Sequence, residues 1–496
     1  MLSHSKHDER KRMTKRLFSR IEFGLKELLS VAVFNYLARY YQKAKAWMIV
    51  KTNSMIYLLK TKYGMKKVKI LNMDMYGWTG VNIPHYFEKK FNDRVVILDC
   101  QELWKIYEKN ELCYPVNFND YSLMDYLGIN LWELCKASAT KHIGKIIVPG
   151  ETVLSDEEIN IIGRYFAWAL KCFDLVSKQL KVSNPDVVIV TQGGIYDSRV
   201  IVEICNRQGI KVVALENCFS ANHFLADSLS GYILNRHSLS VTGGFINECD
   251  TTAFQQQEER VYEFLNNMLS SKAVDHYTGE RKNSSELKRL LSIPPGKKVL
   301  LYLGQVRTDA SISLDSTLYA DPVWLIEDLL NLVVKNEEYF LVVRLHPKEA
   351  THNRYMRNGN QVELCHNSTL SELDRSGLLE ISNSIIISDN NINTYDLMDI
   401  SDVGITINSQ SGLEMALLGK QVITAGRCSY ANKGFTWDID HVSMLEQTIN
   451  SALAHEYSPL EYQKLIRFCY YYFYHYMIPK DLRGDMPRLY HLFNLK

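Results

Sequence analysis

Short runs of apolar residues, rich in valine, isoleucine and leucine, recur along the chain and alternate with segments of helical periodicity. In the first half, the apolar runs 187–190 and 212–215 flank a helical pattern that ends before Gly209. Gly193 and Gly194 open the turn after the first of these runs. This order predicts a β-loop-α-β unit, with a glycine at the end of its helix.

The same alternation extends over most of the chain. The segments "VKILNMD" and "DRVVILD" predict earlier strands, and "KKVLLYLGQ", "YFLVVRLHP", "SIIISD" and "DVGITIN" predict later ones. A helix is predicted near residues 323–334. Nearly continuous apolar strands that alternate with helices are typical of parallel sheets covered on both faces. We therefore predict an α/β fold with two Rossmann-like domains that face a cleft.

These patterns divide the chain into five parts. We predict a basic helical extension at 1–68, a first Rossmann-like domain at 69–241 and a polar interdomain connection at 242–297. A second Rossmann-like domain follows at 298–455, and the strongly aromatic segment 456–496 is predicted to form a helix that packs across the domains.

Composition favours a globular, intracellular protein. Apolar residues make up 46% of the 496 residues, which is enough for more than one core. The ten cysteines include no CxxC pair and no spacing with histidine that suits zinc, so we expect reduced thiols and no metal site. We find neither a signal-peptide pattern nor an apolar run long enough to span a bilayer, and we expect a cytoplasmic location.

The net charge of +1 hides an asymmetry along the chain. Residues 1–68 contain 16 Lys/Arg and 4 Asp/Glu, whereas the remainder contains 41 basic and 52 acidic residues. In the basic segment, Leu17, Ile21, Leu25 and Leu28 share one helical face. Such a helix suits the anionic inner face of the plasma membrane. The alternative is a solvated arm on its own domain; nucleic acid is a poorer partner, because the rest of the chain is acidic.

In open parallel sheets, ligands bind beyond the carboxyl ends of the strands, so polar residues there are candidates for function. The first such loop follows "GITI", where Ser409, Ser411 and Gly412 precede a predicted helix. Ser411 and Glu414 have the spacing of a capping box. The alternative to a purely structural turn is an anion site made of hydroxyls and free helix amides, with Glu414 available to bind a ribose.

A second loop contains Arg344, His346, Pro347 and Lys348, where the proline ends a predicted strand. A lone histidine is usually structural, but one flanked by Arg and Lys at a strand end suits a phosphate.

A third loop contains Gln305 and Asp309 after the first strand of the second domain. In the first domain, Glu216 stands at the carboxyl end of a predicted strand, where its carboxylate is either a catalytic base or the buried partner of a helix cap. We expect Gly193 and Gly194 on the same side, next to an acceptor.

Four segments together resemble the bacterial capsule polysaccharide biosynthesis family. They are "ITINSQSGLEMALLGKQVITAG" with "YANKGFTWD", "LGQVRTDASI", "VRLHPKE", and "PDVVIVTQGG" with "GIKVVALEN", in the order that this family shows. The similarity covers about residues 185–440. The chain departs from the family where Asn217 and Cys218 replace an expected glycine-containing turn, and where Gln421 replaces a proline.

The resemblance implies a GT-B glycosyltransferase that needs no metal or cofactor, only a nucleotide-sugar co-substrate. It favours CMP-linked 3-deoxy-octulosonate (Kdo) as donor, bound mainly by the second domain, and a surface polysaccharide or glycolipid as acceptor on the first. His346 and Pro347 would then hold the donor phosphate with help from Ser409 and Ser411, and Glu216 would be the carboxylate near the reacting carbon.

Other functions are compatible with these patterns. A nucleotide-sugar 2-epimerase shares the expected architecture, a non-catalytic capsule assembly subunit could use it for docking, and a transferase could use a UDP- or GDP-sugar.

Overall fold

The computed structural model describes most of the chain after the basic segment. The predicted extension at 1–68, with its amphipathic face, lies almost wholly outside the described residues, as does much of the connection between 229 and 280. The described residues are 67–74, 80–91, 94–99, 113–116, 120–218, 220–228, 239, 253–272, 281–316, 318–350, 354–357, 360–363, 368–389, 391–483 and 486–495.

The first domain contains a six-stranded sheet with the order β16-β7-β6-β5-β1-β2. The strands β1, β2, β5 and β6 are parallel, whereas β7 and β16 are antiparallel to their neighbours. A small hairpin, β3 and β4, stands apart from this sheet. The strands are β1 (Val68–Asn72), β2 (Val95–Asp99), β3 (Asp125–Tyr126), β4 (Ile129–Asn130), β5 (Val187–Thr191), β6 (Lys211–Asn217), β7 (His223–Asp227) and, from the end of the chain, β16 (Ile478–Pro479).

Helices with apolar faces cover this sheet. The longest begins at a capping box in which Ser155 and Glu158 bond each other's backbone amides, and it ends at Asn184 in a left-handed conformation. The helices that precede the second sheet in the chain are α1 (Ile83–Lys90), α2 (Leu131–Ile143), α3 (Asp156–Ser183), α4 (Tyr196–Arg207), α5 (Phe254–Lys272) and α6 (Ser284–Leu290).

The second domain contains a six-stranded sheet that is parallel throughout, with the order β12-β9-β8-β13-β14-β15. A separate antiparallel hairpin, β10 and β11, precedes its edge strand. The strands are β8 (Lys298–Leu303), β9 (Tyr339–Arg344), β10 (Arg354–Arg357), β11 (Asn360–Glu363), β12 (Ser384–Ile387), β13 (Val403–Thr406), β14 (Gln421–Thr424) and β15 (Trp437–Asp438).

Helices connect these strands in the manner of successive βαβ units. The helices of the second half are α7 (Ala310–Asp315), α8 (Pro322–Lys335), α9 (Pro347–Ala350), α10 (Ser368–Arg375), α11 (Thr394–Ile400), α12 (Ser411–Leu417), α13 (Leu445–Leu453), α14 (Pro459–Tyr471) and α15 (Pro487–Leu492). The prediction of an α/β fold with two Rossmann-like domains is confirmed.

The antiparallel strands β7 and β16 differ from the fully parallel sheet that the alternation predicted. The segment that forms β7 contains only a short apolar run, which His223 and Asp227 bound. Its strand character comes from pairing with β6 on one side and with β16, from the far end of the chain, on the other. The hydrophobic pattern near β7 gives no indication of its pairing with β16.

The C-terminal segment joins the two halves of the molecule. Helix α14 packs against α5, and a π-helical turn at Tyr472–Tyr476 leads the chain to the first sheet. There, Tyr476 is buried and its hydroxyl donates to Asp227 Oδ2 at 2.5 Å. One continuous apolar cluster includes side chains from both sheets and from this tail, so each domain stabilises the other.

In the described part of the chain, no helix combines the length and the apolar character needed to cross a membrane.

We predict that Tyr476→Phe lowers the free energy of unfolding by about 1–3 kcal/mol, because the buried carboxylate of Asp227 loses the hydrogen bond from this hydroxyl. Thermal unfolding of the purified protein measures this change. The matched control is Tyr126→Phe, since Tyr126 is 38% exposed; we expect it to change stability by less than about 0.5 kcal/mol. Equal effects of the two substitutions would contradict this role of the tail.

Candidate functional site

The loops that follow β8 and β13 are joined by two reciprocal hydrogen bonds between Gln305 and Asn408. The backbone amide of Asn408 donates to Gln305 Oε1 at 3.1 Å, and the Gln305 side chain donates back to Asn408 Oδ1. The hydroxyl of Thr406 also donates to Leu303 O at 3.0 Å. Since β8 and β13 are neighbouring parallel strands, their carboxyl ends present one continuous surface.

The serine turn after β13 is closed by its own hydrogen bonds. The amide of Ser409 donates to the Thr406 hydroxyl at 3.1 Å, that of Ser411 to Ser409 Oγ at 3.3 Å, and that of Gly412 to Ser409 O at 3.2 Å. The interpretation of this turn as a row of free helix amides is therefore wrong for these three. The serine hydroxyls remain as its polar groups.

The predicted capping box of Ser411 and Glu414 is also wrong. Helix α12 begins at Ser411 itself, and its N-cap residue is Gln410, in a helical conformation and with no side-chain hydrogen bond to the cap. Glu414 is 3% exposed and accepts a hydrogen bond from the Tyr395 hydroxyl at 2.6 Å. The spacing of Ser411 and Glu414 fits a capping box only if Ser411 is the N-cap. The helix begins one residue earlier, so Ser411 is its first residue.

Gly412 is required by packing. A Cβ atom at this position would lie 2.2 Å from the hydroxyl oxygen of Tyr430 and 3.1 Å from Cγ2 of Thr406. The Tyr430 hydroxyl in turn donates to Ser409 O. The buried Tyr430 thus packs against the serine turn and stabilises it by a hydrogen bond.

In the loop after β9, His346 caps the short helix α9. Its Nδ1 accepts the amide of Lys348 at 3.0 Å, and its carbonyl accepts the amide of Glu349 at 2.9 Å. Because Nδ1 is an acceptor, the proton of the neutral ring lies on Nε2, which is the donor. Pro347 is the first residue of the helix and Lys348 is exposed. The strand is predicted from sequence to end at His346, whereas β9 ends two residues earlier, at Arg344.

Arg344 is buried and lies inside the domain. Its side chain is 3% exposed and donates to Asp389 O and, at 3.4 Å, to the Thr394 hydroxyl. Gly304 approaches this strand so closely that a Cβ atom would lie 2.7 Å from Arg344 O. Arg344 therefore holds neighbouring loops together, and the more accessible cation of the pair is Lys348.

Asp309 caps helix α7. Its carboxylate accepts the amide of Ser311 at 2.8 Å, and the residue is exposed. Asp309 was predicted to bind the nucleotide-sugar donor. In the structure its carboxylate instead caps a helix at the carboxyl edge of the second sheet.

Glu349, which sequence reasoning missed, connects the loops after β8 and β9. It is 2% exposed and accepts the amide of Arg307 at 2.7 Å and both the amide and the hydroxyl of Thr369 at 3.1 and 2.8 Å. Burial raises the pKa of the Glu349 carboxyl, although these hydrogen bonds oppose the shift. The only sequence signal was a glutamate directly after the His-Pro-Lys segment.

A second missed group follows β14 at the same edge of the sheet. Lys433 is 8% exposed, and burial lowers the pKa of its ammonium group. Burial also raises the pKa of Asp438, which accepts hydrogen bonds from the Thr424 hydroxyl at 2.5 Å and from the amide of Asn432 at 2.9 Å. The segment "YANKGFTWD" contains both residues, but neither was assigned a function from sequence.

In the first domain, Glu216 lies at the carboxyl end of β6, as predicted. Its Oε1 accepts the amide of Asn217 at 3.1 Å. Gly193 follows the adjacent strand β5 with φ of 82° and Gly194 is buried. These three residues lie at the carboxyl edge of the first sheet, whereas the other candidates lie at the edge of the second.

Another acidic residue that sequence reasoning missed shares the edge with Glu216. Asp74 follows β1, is 6% exposed and accepts a hydrogen bond from the Thr191 hydroxyl at the end of β5.

Helix α2 lies next to both edges. Its Ser138 Oγ accepts the amide of Tyr196, directly after the Gly193–Gly194 turn, at 3.0 Å. The same helix packs against α7, which follows the Gln305 loop. This shared neighbour supports the predicted orientation, in which the carboxyl edges of the two sheets face one space. Within the described residues, no cluster of three or more His, Cys, Asp or Glu side chains could hold a metal ion.

The model of one protein family, described as capsule polysaccharide biosynthesis protein, matches residues 252–471. The predicted resemblance is confirmed for these residues. The match includes the loops after β8, β9, β13 and β14 and spans slightly less than half of the chain. No curated protein matches the chain.

Several solved structures are similar to the chain. The beta Kdo 2,7 transferase of Thermosulfurimonas dismutans KpsC is 17% identical over 65% of this chain and 89% of that chain, with a TM-score of 0.37. The beta Kdo 2,4 transferase of the same protein is 18% identical over 62% and 87%, with a TM-score of 0.40. A UDP-GlcNAc 2-epimerase from Neisseria meningitidis is 13% identical over 82% and 96%, with a TM-score of 0.23.

We predict that Gly412→Ala costs about 1–3 kcal/mol of stability, because the new methyl group meets the Tyr430 hydroxyl. In a Tyr430→Phe background the same substitution should cost less, with a coupling of at least about 0.5 kcal/mol. Chemical unfolding of the four proteins of this cycle measures the coupling. Equal costs in both backgrounds would show that Tyr430 is not what requires a glycine here.

Proposed function

We propose that this protein is a glycosyltransferase of capsule or envelope polysaccharide biosynthesis. It moves a sugar from a nucleotide-activated donor, with a CMP-linked Kdo-like sugar favoured, to a polysaccharide or glycolipid acceptor. The family match over residues 252–471 supports the pathway. The donor and the acceptor within that pathway rest on the resemblance of "VRLHPKE" and the serine turn to their family counterparts.

The polar groups at the carboxyl edge of the second sheet suit an anion such as the donor phosphate. The Nε2–H of His346 and the ammonium group of Lys348 stand at the end of β9. Ser409 Oγ accepts the amide of Ser411, so its own hydrogen remains available for donation. Fixed donors of this kind stabilise the charge that develops on the departing nucleotide. Ser411, Gly412 and Glu414 then contribute by shaping the turn.

On the opposite side, Glu216 is the proposed base for the acceptor hydroxyl. It lies at the carboxyl end of β6, next to the Gly193–Gly194 turn, where small residues leave room for an acceptor. A carboxylate that removes the hydroxyl proton as the new bond forms typically contributes about 10²–10⁴-fold to the rate.

The observation that carries this proposal is the hydrogen-bonded joining of the two loops by Gln305 and Asn408, directly beside β9, the strand that precedes His346. It makes one preorganised surface from segments that also match the family. A docking subunit would not need His346, so the histidine separates an enzyme from a non-catalytic subunit. An epimerase would also need a histidine at the cleft, and only an assay without an acceptor separates it from a transferase.

We predict that CMP raises the unfolding temperature of the protein more than UDP or GDP does. A nucleotide at a hundred times its Kd stabilises the folded state by about 2.7 kcal/mol. His346→Ala and His346→Asn should both abolish this shift and the transfer of sugar from CMP-Kdo. The asparagine variant is the matched control, because its side chain can still accept the amide of Lys348; only the alanine variant should lose about 1 kcal/mol of stability.

The outcomes separate the alternative functions. Conversion of free UDP-GlcNAc without an acceptor would identify an epimerase. Normal capsule output in cells that carry His346→Asn would identify a non-catalytic subunit. Stabilisation by UDP or GDP but not by CMP would retain a transferase and change the donor.

For the basic segment 1–68, we propose contact with the anionic inner face of the plasma membrane, which would bring a cytoplasmic enzyme to a glycolipid acceptor. Each basic residue near such a surface contributes about 1 kcal/mol. The basic residues that cluster at its start include Lys11, Lys15, Arg16 and Arg20.

We predict that replacing these four by glutamine weakens binding to phosphatidylglycerol vesicles by about 4 kcal/mol, as measured by vesicle flotation at low salt. Phosphatidylcholine vesicles should bind neither protein. A control variant replaces four exposed basic residues elsewhere: Lys89, Lys181, Arg289 and Lys335. If the control weakens binding equally, the segment has no special role.

A further inference from the structure

A pocket of about 360 Å³ opens between the two domains, beside the edge proposed to bind the donor. One wall is the segment after α2, with Lys145, Glu151 and Val153, and the other wall is formed by Trp324, Arg375 and their neighbours in the second domain. Its volume lies in the range of about 300–1,000 Å³ that small-molecule sites occupy.

The second-domain wall is rigid because its charged groups are bonded to one another. Arg307 is 6% exposed and donates to both carboxylate oxygens of Asp321 at 3.0 and 3.1 Å and to the carbonyl of Ser368 at 3.2 Å. Glu372 forms a second ion pair with Arg307 at 3.0 Å and a further pair with Arg375 at 2.5 Å. This network fixes the floor of the pocket before any ligand arrives.

The first-domain wall is fixed in the same way. Lys145 Nζ donates to the carbonyl of Val153 at 3.0 Å and pairs with Glu158 at 2.8 Å. The pairing holds the segment of Val153 against the start of α3, so the opening of the pocket does not depend on a loose loop.

Among the described residues, Trp324 is the one aromatic residue that lines this pocket. Its side chain stands in the first turn of α8 and is 41% exposed, although most large apolar side chains of this helix are buried. Val153, on the opposite wall, is 82% exposed. An indole held at the mouth of a polar pocket is typical of binding sites, since it combines a large apolar surface with a polar N–H group.

The balance of charges in the lining disfavours a strongly ionic ligand. Its basic residues are Lys145, Arg307 and Arg375, and its acidic residues are Glu151, Asp321 and Glu372, so the formal charges cancel. A nucleotide or a phosphate would find no net positive charge here. A sugar ring suits the pocket better, because it has one face of C–H groups and a rim of hydroxyls that both carboxylates and guanidinium groups can bind.

We propose that this pocket binds a neutral sugar unit of a glycan, with the ring stacked on Trp324 and its hydroxyls bonded to Glu151 and Arg375. The site is separate from the histidine and serine loops. Its assignment as a subsite for the acceptor chain rests on the proposed function, whereas sugar binding itself does not. Because both domains line the pocket, a bound glycan would also favour the arrangement of domains seen here.

The test uses the full-length protein labelled with 5-fluorotryptophan and observed by ¹⁹F NMR. The Trp324→Phe variant identifies the Trp324 resonance. The probes are the methyl glycosides of glucose, galactose, N-acetylglucosamine and N-acetylgalactosamine, and CMP and inorganic phosphate are added separately. We expect at least one glycoside to shift this resonance in a saturable way and the two anions to leave it unchanged.

A matched pair of variants separates the pocket from the rest of the helix. Trp324→Ala should weaken binding of that glycoside by about tenfold or more, as measured by calorimetry. Val334→Ala removes another exposed apolar side chain of α8, which is 52% exposed and does not line the pocket; it should leave the affinity unchanged. Failure of every glycoside to shift the resonance, or a shift produced by CMP or phosphate, would overturn the proposal.

The result is independent of the nucleotide experiment. Sugar binding without stabilisation by any nucleotide would retain this pocket and remove the proposed transferase activity. Stabilisation by CMP without sugar binding would retain the proposed transferase activity and remove the sugar-binding pocket.

Discussion

The candidate site depends on the reciprocal bonding of Gln305 and Asn408, which brings together two loops that are 103 residues apart in sequence. Each side chain satisfies the other's polar group at the end of a buried strand, where an unpaired amide would cost about 1–3 kcal/mol. Gly304 and Glu349 extend the same junction to the loop after β9. The three loops therefore form one surface whose shape does not need a ligand to create it.

This arrangement changes the chemistry expected from the serine turn. Its amides donate to the Thr406 hydroxyl and to the hydroxyl and carbonyl oxygens of Ser409, so hydroxyl, imidazole and ammonium groups are left as the donors for an anion. His346 illustrates the change. Its Nδ1 accepts a backbone amide and caps a helix, and the resulting tautomer carries a hydrogen-bond donor at Nε2. A structural function and a binding function are thus combined in one side chain.

Most of the fold was predictable from local pattern, because each parallel strand is a short apolar run that turn residues bound. Residues 187–190 and 212–215 predicted β5 and β6 for this reason. The strand β7 was missed because its partner β16 comes from the other end of the chain, and no local pattern records a long-range pairing.

For the candidate site, the sequence predicted which residues follow the strand ends better than it predicted the hydrogen bonds that they form. The strand ends identified His346, Gln305 and the serine turn, since ligands bind at that edge of any open parallel sheet. The capping box failed because one residue decides where α12 begins. Glu349 and Asp74 were missed because their partners, Arg307 and Thr191, belong to other segments.

The most direct test of this account is a crystal structure of the protein with CMP bound. We predict that the phosphate lies within hydrogen-bonding distance of His346 Nε2 and of a hydroxyl of Ser409 or Ser411, at the carboxyl edge of the second sheet. A nucleotide bound at any other place, with His346 bonded only to protein, would contradict the central claim.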